Sequence, residues 1–204
     1  QKQVQLSLPR RKQLWRQLIR SKVQMQSALL KERQGTDHGI SRLIPLIRSG
    51  DPSNVEAQAA RRYWGALFGN DFRRDRNAND HNRLLNYGYA VLRAATSRAV
   101  VAAGLHPTIG LHHHNKYNSF CLADDLMEPY RPIVDRAVAE VLDGRESVPE
   151  VTQVVRAELL GAFTEPVRIQ GESRTLFDAL SKTAASLVQC IVGDARELIL
   201  PEGF

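Results

Sequence analysis

The segment from Asp80 to Ala103 most constrains what this chain can fold into. It is predicted to form the longest helix, closed by Gly104, and apolar residues cover nearly every face of it. These apolar positions are Leu84, Leu85, Tyr87, Ala90, Val91, Leu92, Ala95, Val100 and Val101. A helix that is hydrophobic all round must be surrounded by other elements. The segment therefore predicts the central helix of a helical bundle.

Other segments also carry apolar residues at helical spacing, with terminating residues between them. Pro9 suits the first position of a helix, because its missing N–H would have no partner there. Asp51 and Ser53 are alternative N-caps for a helix that Gly69 ends. Further helices are expected at about 122–142, 148–163 and 173–200, with a short helix around Pro45 and a short extended piece at PVRIQGE.

The chain contains neither a series of alternating strands nor an internal repeat. We therefore expect an all-α fold in which residues 1–204 form a single multi-helix domain. No apolar run approaches the roughly 18 residues that a membrane span needs, and no signal peptide opens the chain, so a cytoplasmic location is expected. Cys121 and Cys190 are expected to be buried thiols. The chain opens with Gln1, inside a patterned segment, and is interpreted as part of a longer protein.

Basic and acidic side chains are divided unevenly along the chain. Residues 1–100 carry 19 Lys and Arg against 7 Asp and Glu, whereas residues 101–204 carry 9 against 15. Arg makes up 22 of the 28 basic residues, and its planar guanidinium pairs with two phosphate oxygens at once. The first half is thus expected to contact a polyanion such as nucleic acid, although a solvated Arg-rich surface would have the same composition.

The stretch GLHHHNKYNSFCLADDLMEPYRP, residues 110–132, concentrates side chains that bind metals. In an extended segment His113 faces opposite to His112 and His114, so a site would use either the middle histidine or its neighbours. Asp125 and Glu128 share one face of a helix.

Two prolines, Pro129 and Pro132, place Asp125 and Glu128 at the start of a helix, with a possible kink after them. Acids there would also suit an ordinary solvated first turn that complements the helix dipole. A further metal ligand would have to come from elsewhere in the chain. Glu56, on an Ala-rich helix followed by Arg61 and Arg62, is one candidate, but spacing does not favour it over Glu32 or Asp51.

Several segments together resemble one known family, the CRISPR-associated integrases that are the first-numbered Cas proteins. The first long helix of that family's α domain resembles QVQLSLPRRKQLWRQLIRSKVQMQ, and its E-A-x-x-A-x-x-Y-W segment resembles NVEAQAARRYW. Its central helix resembles NRLLNYGYAVLRAA, and its most diagnostic block resembles GLHPTIGLHHHNKYNSFCLADDLMEPYRPIVD. The HHHN-x-YN wording is closest to the versions found beside type II effector nucleases. The similarity spans the whole chain.

The resemblance implies which side chains form an active site. Carried over by motif, Glu56, His113 and Glu128 would be the catalytic residues and the ligands of Mg²⁺ or Mn²⁺, while Asp125 would support them beside the metal. It also implies that an N-terminal β-rich domain precedes the helical catalytic domain in the family and is absent from this chain.

The implied reaction is the joining of spacer DNA to a CRISPR repeat by transesterification, through attack of a 3′-hydroxyl on a phosphodiester. The implied partners are double-stranded DNA, a second copy of the complete protein, and the small second-numbered Cas protein. DNA contacts are expected from five arginines: Arg61, Arg62, Arg73, Arg74 and Arg76.

Two other functions would use the same residues. A non-enzymatic helical DNA-binding or assembly module would keep the histidine and carboxylates as a structural Zn²⁺ site or as an incidental cluster. A metal-dependent nuclease without integration would share the active site and differ only in its products.

Overall fold

The computed structural model describes residues 2–204, which form seven α-helices and three short strands. The helices are α1 (Leu8–Gln34), α2 (Val55–Phe68), α3 (His81–Ala102), α4 (Cys121–Leu126), α5 (Arg131–Leu142), α6 (Gln153–Gly161) and α7 (Leu176–Val192). The strands are β1 (Pro166–Ile169), β2 (Glu172–Thr175) and β3 (Pro201–Gly203), and short 3-10 helices cover Ser41–Leu46 and Glu128–Tyr130. The predicted all-α class is confirmed, since the sheet is a small addition to a helical bundle.

Helix α3 lies at the centre of the bundle, as its apolar surface predicts. Leu84, Leu85 and Leu92 are fully buried, and α3 packs against α4, α5 and α7. At Gly88 a Cβ atom would lie only 2.4 Å from Cγ1 of Val134. The absence of a side chain at this position is what lets α3 and α5 approach so closely.

The start of α2 is fixed by a carboxylate that precedes the helix. Both Asp51 oxygens accept hydrogen bonds, from the backbone N–H groups of Val55 and Glu56, at 2.9 Å each. Asp51 therefore satisfies the free N–H groups of the first turn, although Asn54 occupies the capping position itself. Gly69 ends the helix, as predicted.

The helix predicted at 122–142 is wrong as a single element. The backbone leaves α4 after Leu126, passes through the 3-10 helix, and resumes as α5 at Arg131. Pro129 and Pro132 explain the break, because neither has an N–H to donate to the preceding turn. Asp125 consequently lies near the end of α4 rather than at the start of a helix.

Two other helices are shorter than predicted. Helix α6 begins only at Gln153, where the Thr152 side chain accepts a hydrogen bond from the N–H of Val155. Helix α7 ends at Val192, because Gly193 adopts a left-handed conformation with φ 98°. The residues beyond it return to pair with β1.

The predicted extended piece contains β1, the central strand of a three-stranded antiparallel sheet with the order β2-β1-β3. Gln170 and Gly171 connect β1 to β2, and both have positive φ, as a tight hairpin turn requires. Cys121 and Cys190 are buried free thiols, as predicted. In residues 2–204 no helix is both long enough and apolar enough to cross a membrane.

Candidate active site

Glu56 and Glu128 meet at a shared cation, the ammonium group of Lys22. The Nζ atom of Lys22 lies 2.8 Å from Oε1 of Glu56 and 2.7 Å from Oε2 of Glu128. Lys22 comes from the middle of α1, Glu56 from the first turn of α2, and Glu128 from the 3-10 helix. Three elements that are distant in sequence thus place their charged ends at one point.

The Glu128 carboxylate is buried between two cations. Its Oε1 accepts a hydrogen bond from Nε of Arg131 at 2.9 Å. Its Oε2 forms an ion pair with Nζ of Lys22 at 2.7 Å. Burial alone would raise the pKa of Glu128, but the charges of Lys22 and Arg131 lower it to about 2.

His113 is held by Asp125, which is fully buried. Oδ1 of Asp125 lies 2.7 Å from Nδ1 of the imidazole, and the carboxylate also accepts the backbone N–H groups of Leu111, His112 and His113. The hydrogen bond that the imidazole donates to Asp125 raises the pKa of His113 despite partial burial of the ring. With Nδ1 engaged in this way, Nε2 is the nitrogen left to bind a metal or a substrate.

The loop that carries the histidines depends on Gly110. A Cβ atom there would lie 2.4 Å from the carbonyl oxygen of His113 and 2.8 Å from Oδ2 of Asp125. The His112 ring stacks on Trp15, with ring centroids 4.2 Å apart and planes 6° apart. The His113 ring meets the same Trp15 edge-on at 5.8 Å and lies 5.5 Å from the His112 ring, so the predicted opposite facing of these two residues is wrong, because the segment is a bent loop and not extended. His114 is exposed.

Glu32 and Asp51 are the two acids that sequence spacing could not distinguish from Glu56 as a metal ligand, and both lie elsewhere in the structure. Glu32 is near Arg136, at 3.5 Å, and Asp51 caps α2. Of these three, Glu56 is the one that meets Glu128.

Two carboxylates, those of Glu56 and Glu128, meet at this point. The pKa of His113 is raised by its hydrogen bond to Asp125 and also by the charge of Glu128, so the imidazole faces the same region. Carboxylate and imidazole ligands together suit Mg²⁺ or Mn²⁺. Among residues 2–204 no three His, Cys, Asp or Glu side chains stand close enough together to hold an ion as they lie. The Lys22 ammonium group contacts both carboxylates. The buried Oε2 of Glu128 already contacts a cation, the Lys22 ammonium group at 2.7 Å, so a divalent cation would take the place of that group. The residues therefore fit a divalent cation once the ammonium group moves aside.

Four of the five predicted arginines line two cavities that share Arg74. Arg61, Arg73 and Arg74 line a cavity of about 620 Å³, which also contains Ala57, one residue from Glu56, and the half-buried Trp64. Arg74 and Arg76 line an adjoining cavity of about 190 Å³, together with Arg93 and Arg131. Arg62 does not line either cavity and instead approaches Gly39.

Arg74 is already committed to the fold. Its guanidinium donates to Oδ1 of Asn82 at 2.6 Å and to Oδ1 of Asn86 at 2.7 Å, and it lies over the ring of Tyr89. These bonds fix its position, whereas Arg61, Arg73 and Arg76 are exposed. The exposed arginines are therefore the better placed of the four to contact a phosphate backbone.

A buried hydrogen-bond network around Asp135 lies next to the site. Asp135 accepts hydrogen bonds from the hydroxyl groups of Tyr63, at 2.7 Å, and Tyr89, which joins α5 to α2 and α3. Burial raises the pKa of Asp135 to about 6, and the two hydroxyl groups oppose this rise. Arg131, which binds Glu128, lies over the Tyr89 ring at 4.6 Å. The network thus extends from α2 to the Glu128 carboxylate.

Sequence reasoning missed Lys22 and Arg131. For Lys22 a signal was available: it follows Ile19 by three residues and Leu18 by four, so it falls on the buried stripe of α1. A lysine in that position needs a buried counter-charge.

Comparisons with known proteins agree on one family. Residues 1–153 match the family described as CRISPR associated protein Cas1. A CRISPR-associated endonuclease Cas1 from Neisseria meningitidis serogroup C (strain 8013) is 37% identical over 204 residues, covering 98% of this chain and 66% of that relative. The chain thus spans about two thirds of that relative's length.

Solved structures share the fold at low sequence identity. A casposase bound to integration product superposes with a TM-score of 0.81 at 21% identity, covering 97% of this chain and 69% of that one. A Cas6-RT-Cas1--Cas2 complex gives a TM-score of 0.76 at 20% identity, covering 98% of this chain and 26% of that one. At such identities the likeness establishes the arrangement of helices.

Proposed function

Because this chain belongs to the Cas1 family, we propose that it is the catalytic domain of a DNA integrase of CRISPR adaptation. One observation carries this proposal beyond family membership: Glu56 and Glu128 come together from distant parts of the chain, 2.8 and 2.7 Å from a single ammonium group. A surface patch of unrelated acids would not be expected to converge around one buried cation.

The proposed reaction is a transesterification. The 3′-hydroxyl oxygen of a spacer DNA loses its proton to solvent and bonds to a phosphorus atom of the CRISPR repeat. The bond from that phosphorus to its leaving oxygen breaks, and the leaving oxygen takes up a proton from solvent. Glu56, His113 and Glu128 would hold Mg²⁺ or Mn²⁺, which supplies stabilisation of the charge that develops on the phosphate oxygens. Asp125 keeps the His113 ring in the tautomer and orientation that this binding needs.

DNA would approach across the arginines beside Glu56. Arg61, Arg73 and Arg76 are exposed, so their guanidinium groups can reach phosphate oxygens, although one nitrogen of Arg73 already donates to the carbonyls of Asn70 and Phe72. Arg74 is held in place by Asn82 and Asn86. Contacts of this kind hold DNA without reading its sequence. Arg62 is not part of this surface and is expected to contribute less.

The partners proposed for the complete protein are a second copy of itself and the small second-numbered Cas protein, and the proposed location is the cytoplasm. A structural relative is described as a Cas1–Cas2 assembly, which supports a partner of that type here.

The proposal is tested by strand joining with the complete protein and its small partner, in Mg²⁺ and in Mn²⁺. Glu56→Ala, His113→Ala and Glu128→Ala should each abolish joining of spacer to repeat DNA while binding of DNA survives. His114→Ala is the matched control, because that histidine is exposed and outside the site, and it should join DNA normally. Full activity in the three site variants would show that these residues are not the catalytic site. DNA binding without joining by the unsubstituted protein would favour the non-enzymatic module, and cleavage without joining would favour a nuclease.

A further inference from the structure

We propose that Lys22 is a built-in cation of this site, which holds Glu56 and Glu128 in position without metal and must be displaced when a divalent cation binds. This inference rests on the proposed function, because it concerns the same two carboxylates. It assigns a positioning role to a residue that contributes neither a carboxylate nor an imidazole to the site.

Charge balance gives the first argument. Glu56 and Glu128 carry two negative charges, and Lys22 and Arg131 carry two positive charges within hydrogen-bond or ion-pair distance of them. The cluster is therefore neutral as it stands. A divalent cation added beside Lys22 would face a like charge a few ångström away, in a partly buried site where such repulsion is strong.

Geometry gives the second argument. The Nζ atom of Lys22 is close to both carboxylates, and so it occupies the space between them where a shared metal ion would lie. The lysine side chain is only 14% exposed, and the Glu128 side chain only 7%. Two carboxylates left together in such a place would repel each other strongly. The ammonium group prevents this repulsion and keeps both side chains aimed at one point.

The side chain of Lys22 is suited to being displaced. Its charge sits at the end of four flexible carbons, unlike the planar guanidinium of Arg131, which is fixed by its bond to Oε1 of Glu128. The ammonium group of Lys22 can therefore leave the carboxylates by rotation of its own side chain. Once displaced, it remains a positive charge at the edge of the site, where the phosphate of an incoming DNA strand would neutralise it.

The test compares Mn²⁺ binding by the complete protein and by Lys22→Met, measured by electron paramagnetic resonance at one fixed pH. Met has a similar length and no charge. We expect Lys22→Met to bind Mn²⁺ with a Kd at least about tenfold lower than that of the unsubstituted protein, because a like charge has been removed. We also expect its Tm in EDTA to fall and its Tm gain on Mn²⁺ addition to be larger.

Lys31→Met is the matched control, since Lys31 is on the same helix, is exposed, and is 4.0 Å from Asp37; its Kd for Mn²⁺ should not change. Lys22→Arg keeps the charge and should not tighten binding. If Lys22→Met fails to fold, as judged by circular dichroism, Lys22→Gln replaces it.

Equal or weaker Mn²⁺ binding in Lys22→Met would overturn this inference and leave the metal site standing. Absence of Mn²⁺ binding in every folded variant would instead overturn the metal site itself, and this inference with it.

Discussion

Nδ1 of His113 lies 2.7 Å from Oδ1 of Asp125, and the same carboxylate is bonded to three consecutive backbone N–H groups of the loop. A single buried side chain therefore fixes both the loop that carries His113 and the tautomer of its ring. This explains how a histidine on an irregular segment can be aimed as accurately as one on a helix.

Replacement of Asp125 by Asn should impair catalysis without removing a proposed ligand. Asn has no charge and offers one acceptor atom where Asp has two, so the His113 ring and its loop become less well fixed. We expect a loss of about 10- to 100-fold in strand joining, together with a need for more Mn²⁺. Asp124→Asn is the control, because Asp124 interacts with Asn118 and Arg93 instead. Equal rates for the two variants would argue against this role of Asp125.

Gly110→Ala should disturb the same loop through volume alone. The added methyl group would collide with the carbonyl oxygen of His113 and with Asp125, so either the loop or α4 must shift. We expect a loss of about 1 to 3 kcal/mol in unfolding free energy, measured with urea, and loss of strand joining. Gly161→Ala is the control, since a Cβ there meets no atom within 4 Å, and it should be neutral or slightly stabilising. An unchanged Gly110→Ala protein would show that the loop can adapt.

The sequence was sufficient for the bundle and its central helix, because apolar residues on every face of 80–103 leave no other arrangement. Helix ends were less predictable. Periodicity continues through Pro129 and Pro132, and the extent of α7 depends on the left-handed conformation of Gly193, which composition does not reveal. The pairing of Glu56 with Glu128 through Lys22 required tertiary contacts between three elements. Spacing within any one of these elements carries no information about the other two.

Asp135→Asn should change how stability depends on pH. The pKa of Asp135 is raised in the fold, from an ordinary 3.8 to about 6. The fold therefore favours the neutral carboxyl, a preference fully present below about pH 4 and lost as pH rises through 6. Unfolding free energies measured from pH 4 to pH 7 should show the natural protein losing up to about 3 kcal/mol relative to Asp135→Asn. A constant difference across this range would mean that Asp135 is not perturbed.

Arg61→Ala and Arg73→Ala should each weaken DNA binding by a similar factor for every sequence. If each arginine neutralises one phosphate, the dependence of log K on log salt concentration should become less steep by about 1 per substitution. Titrations at several salt concentrations measure this slope. Arg145→Ala is the control, because Arg145 pairs with Glu158 at 2.8 Å in the acidic half of the chain. A slope unchanged in Arg61→Ala and Arg73→Ala would place the DNA elsewhere on the surface.

Glu56, His113 and Glu128 are proposed to hold one divalent cation. The most direct measurement is anomalous diffraction at the manganese edge from crystals of the complete protein soaked in Mn²⁺. We predict a single strong peak about 2.0 to 2.3 Å from one oxygen of each carboxylate and from Nε2 of His113, with the Lys22 ammonium group moved away from the carboxylates. A site still spanned by Lys22 at saturating Mn²⁺, or a peak bound by other residues, would contradict the claim.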